Sequence, residues 1–448
     1  MNIIICITHP QVLRNVLFDD SLSLILNLHF SKLLLICNGR TYETLTRYVD
    51  NLNPLLKKNI TIMNLDFSFQ SRLTLSTLNS ITKLQNYSKF ALAKNLRLWS
   101  RKEISGFNVI FRMLFYVFTF KNSALAKLVR YLFLKIIIRE ESLDQLAIYK
   151  NYDLILALSL TDDIDTLLVG FGKKHGIKTI GTVRSWDNLS SHGLLRVKPD
   201  SFYSHSEAMT RDLLKYQFYA GDENSIYLGS SYWLDFEKID KLKKQQNNAG
   251  SHNRKILYGA MGNDFNRSEY KLLEKIHDEL LKDEGTKREF AVLMHPRFPI
   301  PKYIQMQYLD KIAFFSFDFD NLEETKSYND YLEFLSCYGY IFSCGSTLLL
   351  DASQLNVKIF HLNFDLLKVS YWQSSKRYLD FREYYRNFIK LAGVQVLNSY
   401  EDLIPILNEN TDLAYNFPNQ QELAFGYIMG IPSGNSLIAF INQCLNEN

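Results

Sequence analysis

A series of short apolar runs, spaced by helix-length segments, constrains this chain more than any other feature. The runs are Ile3–Ile7, Leu33–Cys37, Thr61–Leu65, Leu154–Leu158, Thr179–Val183, Ser201–Ser204, Ile226–Leu228, Lys255–Tyr258, Phe290–Met294, Ala313–Phe317, Tyr340–Ser343 and Lys358–Leu362. Most are continuously apolar rather than alternating, as strands buried on both faces are. Strands of that kind joined by helix-length segments are βα units, and βα units build parallel sheets. At 448 residues the chain is long enough for two such domains. A Lys/Gln/Asn-rich stretch, 237–254, interrupts the series and reads as a linker. The expected division is therefore 1–236, a linker, and 255–448. The terminal helical region, Asn435–Asn448, is counted with the second domain, although a return onto the first is open to it.

Bulk properties exclude several classes. Apolar residues make up 47% of the chain, ample for two cores. The net charge of +4 gives no footprint for nucleic acid, and no recognition module is visible. The cysteines (Cys6, Cys37, Cys337, Cys344, Cys444) are scattered without a CxxC pair, which fits a reducing compartment and no zinc site. The first residues read as a buried strand and lack the basic region of a signal peptide. The longest apolar stretch, Phe107–Phe120, is broken by Arg112 and is too short to span a bilayer. A cytoplasmic location is expected.

The positive charge is not evenly spread. Lys94–Arg139 holds ten Lys or Arg against one acid, Glu103, a local charge of +9. Phe111, Phe115, Phe118, Tyr131 and Phe133 interleave with these cations. A basic aromatic helical insert suits an anionic membrane surface. A pair of core helices with snorkelling cations has the same pattern.

Ser343-Cys-Gly-Ser-Thr-Leu-Leu-Leu-Asp351 is the segment richest in ligand-binding chemistry. An apolar strand runs into a turn of small residues, Ser343, Gly345, Ser346 and Thr347, and a helix opens at Leu348. Free backbone N–H groups at such a turn suit a diphosphate, and Asp351 lies one turn further on, placed for ribose hydroxyls. The same residues fit ordinary helix capping. Two more strand ends carry candidates in this half. Leu257-Tyr-Gly-Ala-Met-Gly-Asn-Asp264 has Gly259 where a backbone must approach a ligand. Leu293-Met-His-Pro-Arg-Phe298 offers His295 and Arg297 as phosphate partners, or a structural His-Pro turn.

In the first half, Val183-Arg-Ser-Trp-Asp-Asn-Leu-Ser-Ser-His-Gly193 follows a strand, where open α/β sheets place ligands. Asp187 fits a general base, with Asn188, Ser190 and His192 to orient a substrate and Trp186 to stack on a sugar. Asp-Asn is also a turn-forming pair. Asp318-Phe-Asp320 has the spacing of a Mg²⁺ ligand pair, but its neighbours Glu323 and Glu324 favour a solvated loop, so no metal is expected. Asp162, Asp163 and Asp165 read as acids that start a helix.

Taken in order, these segments resemble a known group. Ser185-Trp-Asp-Asn-Leu-Ser-Ser-His-Gly193, Lys198-Pro-Asp200, Ser206-Glu-Ala-Met209 and Gly229-Ser-Ser-Tyr232 are similar to motifs of bacterial surface-polysaccharide (capsule and O-antigen) glycosyltransferases of the GT-B fold. His295-Pro296 and Gly345-Ser-Thr-Leu-Leu-Leu-Asp351 resemble donor-site segments of that group and of the CDP-glycerol glycerophosphotransferases. The likeness covers roughly residues 150–405. Ser231 stands where the group usually has Pro, and Asp351 where it often has Glu.

The resemblance implies an α/β, GT-B protein of two Rossmann-like domains with a cleft between them. It implies a metal-independent glycosyltransferase without a cofactor. The donor is a nucleotide sugar, held by Gly259, His295, Arg297, Ser343, Gly345, Ser346, Thr347 and Asp351. The acceptor is a surface glycan, free or lipid-linked, met by Trp186, Asn188 and Ser190, with Asp187 and His192 as the catalytic pair and the inner face of the cytoplasmic membrane as a location. A nucleotide-sugar epimerase of the same fold and a non-catalytic glycan assembly protein are the rival readings.

Overall fold

In the computed structural model the described residues are 1–17, 30–66, 74–78, 96, 99, 105–106, 110, 123–137, 139, 141–217, 219, 223–231, 234, 236–248, 255–261, 266–282, 289–296, 298–317, 328–369, 371, 374–408, 418–430 and 437–446. They form two compact units, Met1–Leu234 with Ile428–Asn448, and Asp235–Tyr427.

The first unit is built on a parallel sheet of β1 (Asn2–Cys6), β2 (Lys32–Cys37), β3 (Ile60–Asn64), β4 (Leu154–Ala157), β5 (Lys178–Gly181), β6 (Ser201–Ser204) and β7 (Ile226–Leu228). Its strand order is β3-β2-β1-β4-β5-β6-β7. The second unit repeats the plan with β8 (Lys255–Gly259), β9 (Glu289–Met294), β10 (Ile312–Ser316), β11 (Tyr340–Ser343), β12 (Lys358–Leu362) and β13 (Gln395–Leu397), in the order β10-β9-β8-β11-β12-β13. Every ladder is parallel, as the apolar runs predict. In each sheet the order reverses beside the first strand, between β1 and β4 and between β8 and β11. An open sheet leaves a crevice at the carboxyl ends of such a pair. β1, β4, β8 and β11 are buried almost throughout, because helices cover both faces.

Two expectations change. The polar stretch expected as a linker is ordered structure in its described part. It is helical over Phe236–Asn248, where Ile239 and Leu242 are buried, and this helix belongs to the second unit. The terminal helix Leu437–Asn446 groups with the first unit instead of the second. Phe440 stacks on Tyr227 at 4.2 Å between ring centroids and lies 5.8 Å from Tyr203. The return is fixed by Ser231, whose N–H and hydroxyl both donate to the Met429 carbonyl, at 3.0 and 2.7 Å. The Gly-Ser-Ser motif at 229–231 thus seals the first unit.

Most of the basic insert lies outside the described residues. Its described helix, Ser123–Ile137, sends Arg130, Phe133 and Ile137 inward. No described helix is long and apolar enough to cross a membrane.

At the reversal in the first sheet a carboxylate is fully buried. Asp165 accepts from Cys6 Sγ at 3.1 Å, Thr8 Oγ1 at 3.2 Å and the Ser159 N–H at 2.7 Å. It therefore ties the ends of β1 and β4 together rather than merely starting its helix, Asp163–His175. Burial, then the charge of Asp162, pushes its carboxyl up to about 7 against the pull of these donors.

Candidate functional site

The second unit gathers its candidates at the reversal point. β8 lies between β9 and β11, so the turns after Gly259, Met294 and Ser343 emerge side by side. Gly259 is buried beneath Leu348; a side chain at this position would run into the Leu348 δ-carbon. The Ser343 hydroxyl donates to the Gly259 carbonyl at 2.8 Å. Ser343 was expected to meet the donor. It is instead a buried strut that sets the spacing of the two turns, because its side chain points along the sheet toward β8.

Gly345 has φ +118°, a conformation that strains any L side chain. A Cβ here would lie 2.6 Å from the Tyr378 ring. The turn is thereby pressed against Tyr378. Ser346 is half-buried and its Oγ accepts from the Leu348 N–H at 3.1 Å, so it caps the helix Leu348–Ala352. Thr347 is exposed and makes no side-chain cap. The N–H groups of Gly345, Ser346 and Thr347 donate to no described residue. Unpaired N–H groups in one tight turn form a concave donor surface for an anion.

His295 is half-buried and ends β9; a bridge to Phe298 closes its turn, with the two rings 5.2 Å apart. Arg297 lies outside the described residues. Asp351 accepts from Tyr328 at 2.8 Å and from Tyr331 at 3.4 Å. Burial and this carboxylate together hold the Tyr328 phenol well above its ordinary range. Asp351 is thus anchored to the helix Tyr328–Ser336, which occupies acceptor capacity the ribose reading requires.

One cation here was not found from sequence. Arg382 stacks over Tyr378, its Cζ 4.0 Å from the ring centroid, and reaches the Gly345 carbonyl at 3.4 Å. Arg377 lies 5.2 Å from the same ring. Two guanidinium groups therefore flank the tyrosine that supports the small-residue turn. Nothing in the local sequence marks them, since Gly345 is distant along the chain.

In the first unit, Asp187 follows β5 at its carboxyl end, as expected. Ser185 Oγ donates to its carboxylate at 2.7 Å, with Asn188 Nδ2 and Ser191 Oγ each at 3.4 Å. These bonds fix the carboxylate at the head of the short helix Asn188–Ser191. Ser190 donates to the Asp187 carbonyl at 3.2 Å and is buried, as is Asn188. Trp186 is only 6% exposed, so its ring has little face to offer a sugar. His192 is exposed at the helix end. His9, at the end of β1, is a further titratable side chain at the reversal point; its Nδ1 accepts from the Gln11 N–H at 3.1 Å. Two other motif residues are structural. Asp200 accepts from the N–H and hydroxyl of Thr179, at 2.8 and 2.7 Å, and from Lys173. Burial opposes its ionisation, but these partners outweigh it and hold the carboxyl below its ordinary value. Ser206 caps the helix Glu207–Gln217 through the Met209 N–H at 3.1 Å.

Among the described residues no group of three or more His, Cys, Asp or Glu side chains is placed to hold a metal. Asp318 and Asp320 lie outside them.

No protein-family model and no curated protein matches the chain. Among solved structures, the UDP-GlcNAc 2-epimerase of Methanocaldococcus jannaschii is similar over 100% of both chains, with 12% identity and a TM-score of 0.50. A glycosyltransferase from Rickettsia africae matches at 14% identity over 100% of this chain and 97% of its own, with a TM-score of 0.45. The UDP-GlcNAc 2-epimerase of Neisseria meningitidis matches at 13% over 100% of both, with a TM-score of 0.47. The likeness to the first is one of fold. The two Rossmann-like units, each on its own parallel sheet, are those of the GT-B class.

Proposed function

We propose that this protein is a GT-B glycosyltransferase that uses a nucleotide-sugar donor. The observation that carries the reading is the turn Gly345–Thr347. It lies at the reversal point of the second sheet, presents N–H groups that donate to no described residue, and is backed by Arg382. A diphosphate bears its charge where such donors and a nearby cation lower the energy of the leaving group. The proposed donor contacts are the backbone of Gly345–Thr347 and the side chains of His295, Arg297 and Arg382; Asp351, held by Tyr328 and Tyr331, is left out of them. Asp187, held by Ser185 and Ser191, is proposed as the base that takes the acceptor hydroxyl proton, with His192, at the other end of the short helix, as the second candidate. The acceptor class is a surface glycan of the capsule or O-antigen kind, on the strength of the sequence motifs, and the reaction is proposed to need neither metal nor cofactor.

Calorimetry with UDP, GDP, CDP, CMP and dTDP tests the nucleotide site. Binding of one of them in the micromolar range is expected; no binding by any removes the proposal. Incubation with the matching nucleotide sugar, alone and with a glycan acceptor, then separates the chemistries. Release of nucleotide only with acceptor supports transfer. An isomeric sugar formed from donor alone identifies an epimerase.

A further inference from the structure

The helix Ser123–Ile137 is apolar on both sides. Its inner side is clamped to the first unit. Arg130 donates to the Leu195 carbonyl at 3.1 Å and to the Gln217 carbonyl at 2.5 Å, and stacks over Tyr219 at 5.2 Å. Phe133 and Ile137 are buried, and Ile137 occupies the space a side chain at Gly170 would need. The helix is therefore fixed in rotation.

Its outer side carries Leu128, Tyr131, Leu132 and Ile136, which are 52, 56, 49 and 41% exposed. Their spacing is that of one helical stripe. Exposed Lys127 and Lys135 lie along the same stripe, Lys135 with its Nζ 5.4 Å from the Tyr131 ring. The helix contains no acid. Four large exposed apolar side chains in a row are unfavourable in water, and a fixed inner face keeps the helix from turning to hide them.

We propose that this stripe docks the protein on an anionic lipid surface, with Leu128, Tyr131, Leu132 and Ile136 in the headgroup–acyl boundary and Lys127 and Lys135 on lipid phosphates. The charge selects this occupant. A second copy seated on the same stripe would set Lys127 and Lys135 against their own counterparts with no acid on either helix to compensate. An anionic headgroup layer complements them.

Co-sedimentation of the full chain with phosphatidylcholine vesicles, and with mixed phosphatidylcholine and phosphatidylglycerol vesicles, tests the docking. Two engaged lysines correspond to roughly a tenfold or greater preference for the anionic vesicles, diminished by salt. Leu132→Glu with Ile136→Glu alters only exposed positions. It is expected to abolish pelleting with thermal stability and nucleotide affinity unchanged. Lys127→Glu with Lys135→Glu is expected to remove the preference for anionic lipid. Equal pelleting on both vesicle types, or undiminished pelleting of the Leu132/Ile136 variant, overturns the proposal. So does a dimer in sedimentation velocity that this variant dissociates, since the stripe is then a contact between copies. Calorimetric nucleotide affinity is read separately, so failure here leaves the nucleotide site standing.

Discussion

The Ser343 hydroxyl and the Gly259 carbonyl, 2.8 Å apart, join the ends of two neighbouring strands. This bond is buried and neutral, worth about 1 kcal/mol. It fixes the turn after β8 against the turn after β11 before any ligand arrives. Ser343→Ala leaves that carbonyl without its partner. A loss of about 1–2 kcal/mol in unfolding free energy is expected by urea titration, with nucleotide affinity changed far less than by substitutions in the turn itself. A large affinity loss in the stable variant would make Ser343 a ligand contact after all.

The turn is expected to be sensitive to volume. Gly345→Ala places a Cβ against Tyr378 and at a positive φ, which costs roughly 1–3 kcal/mol. Ser346→Leu with Thr347→Leu fills the space over the N–H groups and is expected to weaken nucleotide binding several-fold or more. Unchanged calorimetric affinity in the folded double variant would exclude this turn as the diphosphate site.

Arg382 provides an independent probe of the same site. Arg382→Ala removes the cation and is expected to reduce nucleotide affinity by about tenfold, the scale of one charge-assisted hydrogen bond. Arg382→Lys keeps the charge but loses the flat stacking on Tyr378, so an intermediate value is expected. Affinities should fall with rising salt in the wild type and less so in Arg382→Ala.

For the chemical step, Asp187→Asn keeps the shape and the bond from Ser185 while removing the basic charge. Transfer is expected to fall by ~10²–10⁴, as for loss of a general base, with nucleotide affinity retained. A near-normal rate would move the role to His9 or His192. Turnover is expected to survive EDTA; loss with EDTA and rescue by Mg²⁺ would instead point to Asp318 and Asp320.

Asp165 gives a pH signature. Its folded carboxyl, raised to about 7, favours the neutral acid. Its stabilising contribution is full below the ordinary value near ~3.9 and is lost as pH rises through 7. Asp165→Asn cannot ionise. Its stability relative to wild type should therefore improve between pH 4 and 7 and stay level above, by on the order of 4 kcal/mol in total. A constant difference across this range would mean that Asp165 does not titrate there. Buried His361, lowered to about 3 chiefly by desolvation, acts in the opposite sense in the second unit, where stability is lost as pH falls below 6.5.

Strands were the most legible part of the sequence. Every strand except β13 is an apolar run; Gln395–Leu397 is short and half-exposed, so it lacks that signature. The helix Phe236–Asn248 resembles a linker in sequence because most of its residues are polar and it buries few apolar side chains. Strand-end turns were legible as places, but not the direction of each side chain. Ser343 turns inward to Gly259, Asp351 to Tyr328, and Asp165 into the core, and each choice depends on partners far along the chain. Arg382 was illegible for the same reason. Its value comes from Tyr378 and from a carbonyl thirty-seven positions away.

The seal between Ser231 and Met429 also determines how the chain is threaded. The second unit is contiguous, Asp235–Tyr427, whereas the first is completed by residues on both sides of it. The second unit is thus an insertion within the first. A nick in 249–254 would therefore not release two separate halves. The fragment that carries both the sheet of the second unit and the chain end would still own the helix bearing Phe440, and would stay attached through it to Tyr203 and Tyr227.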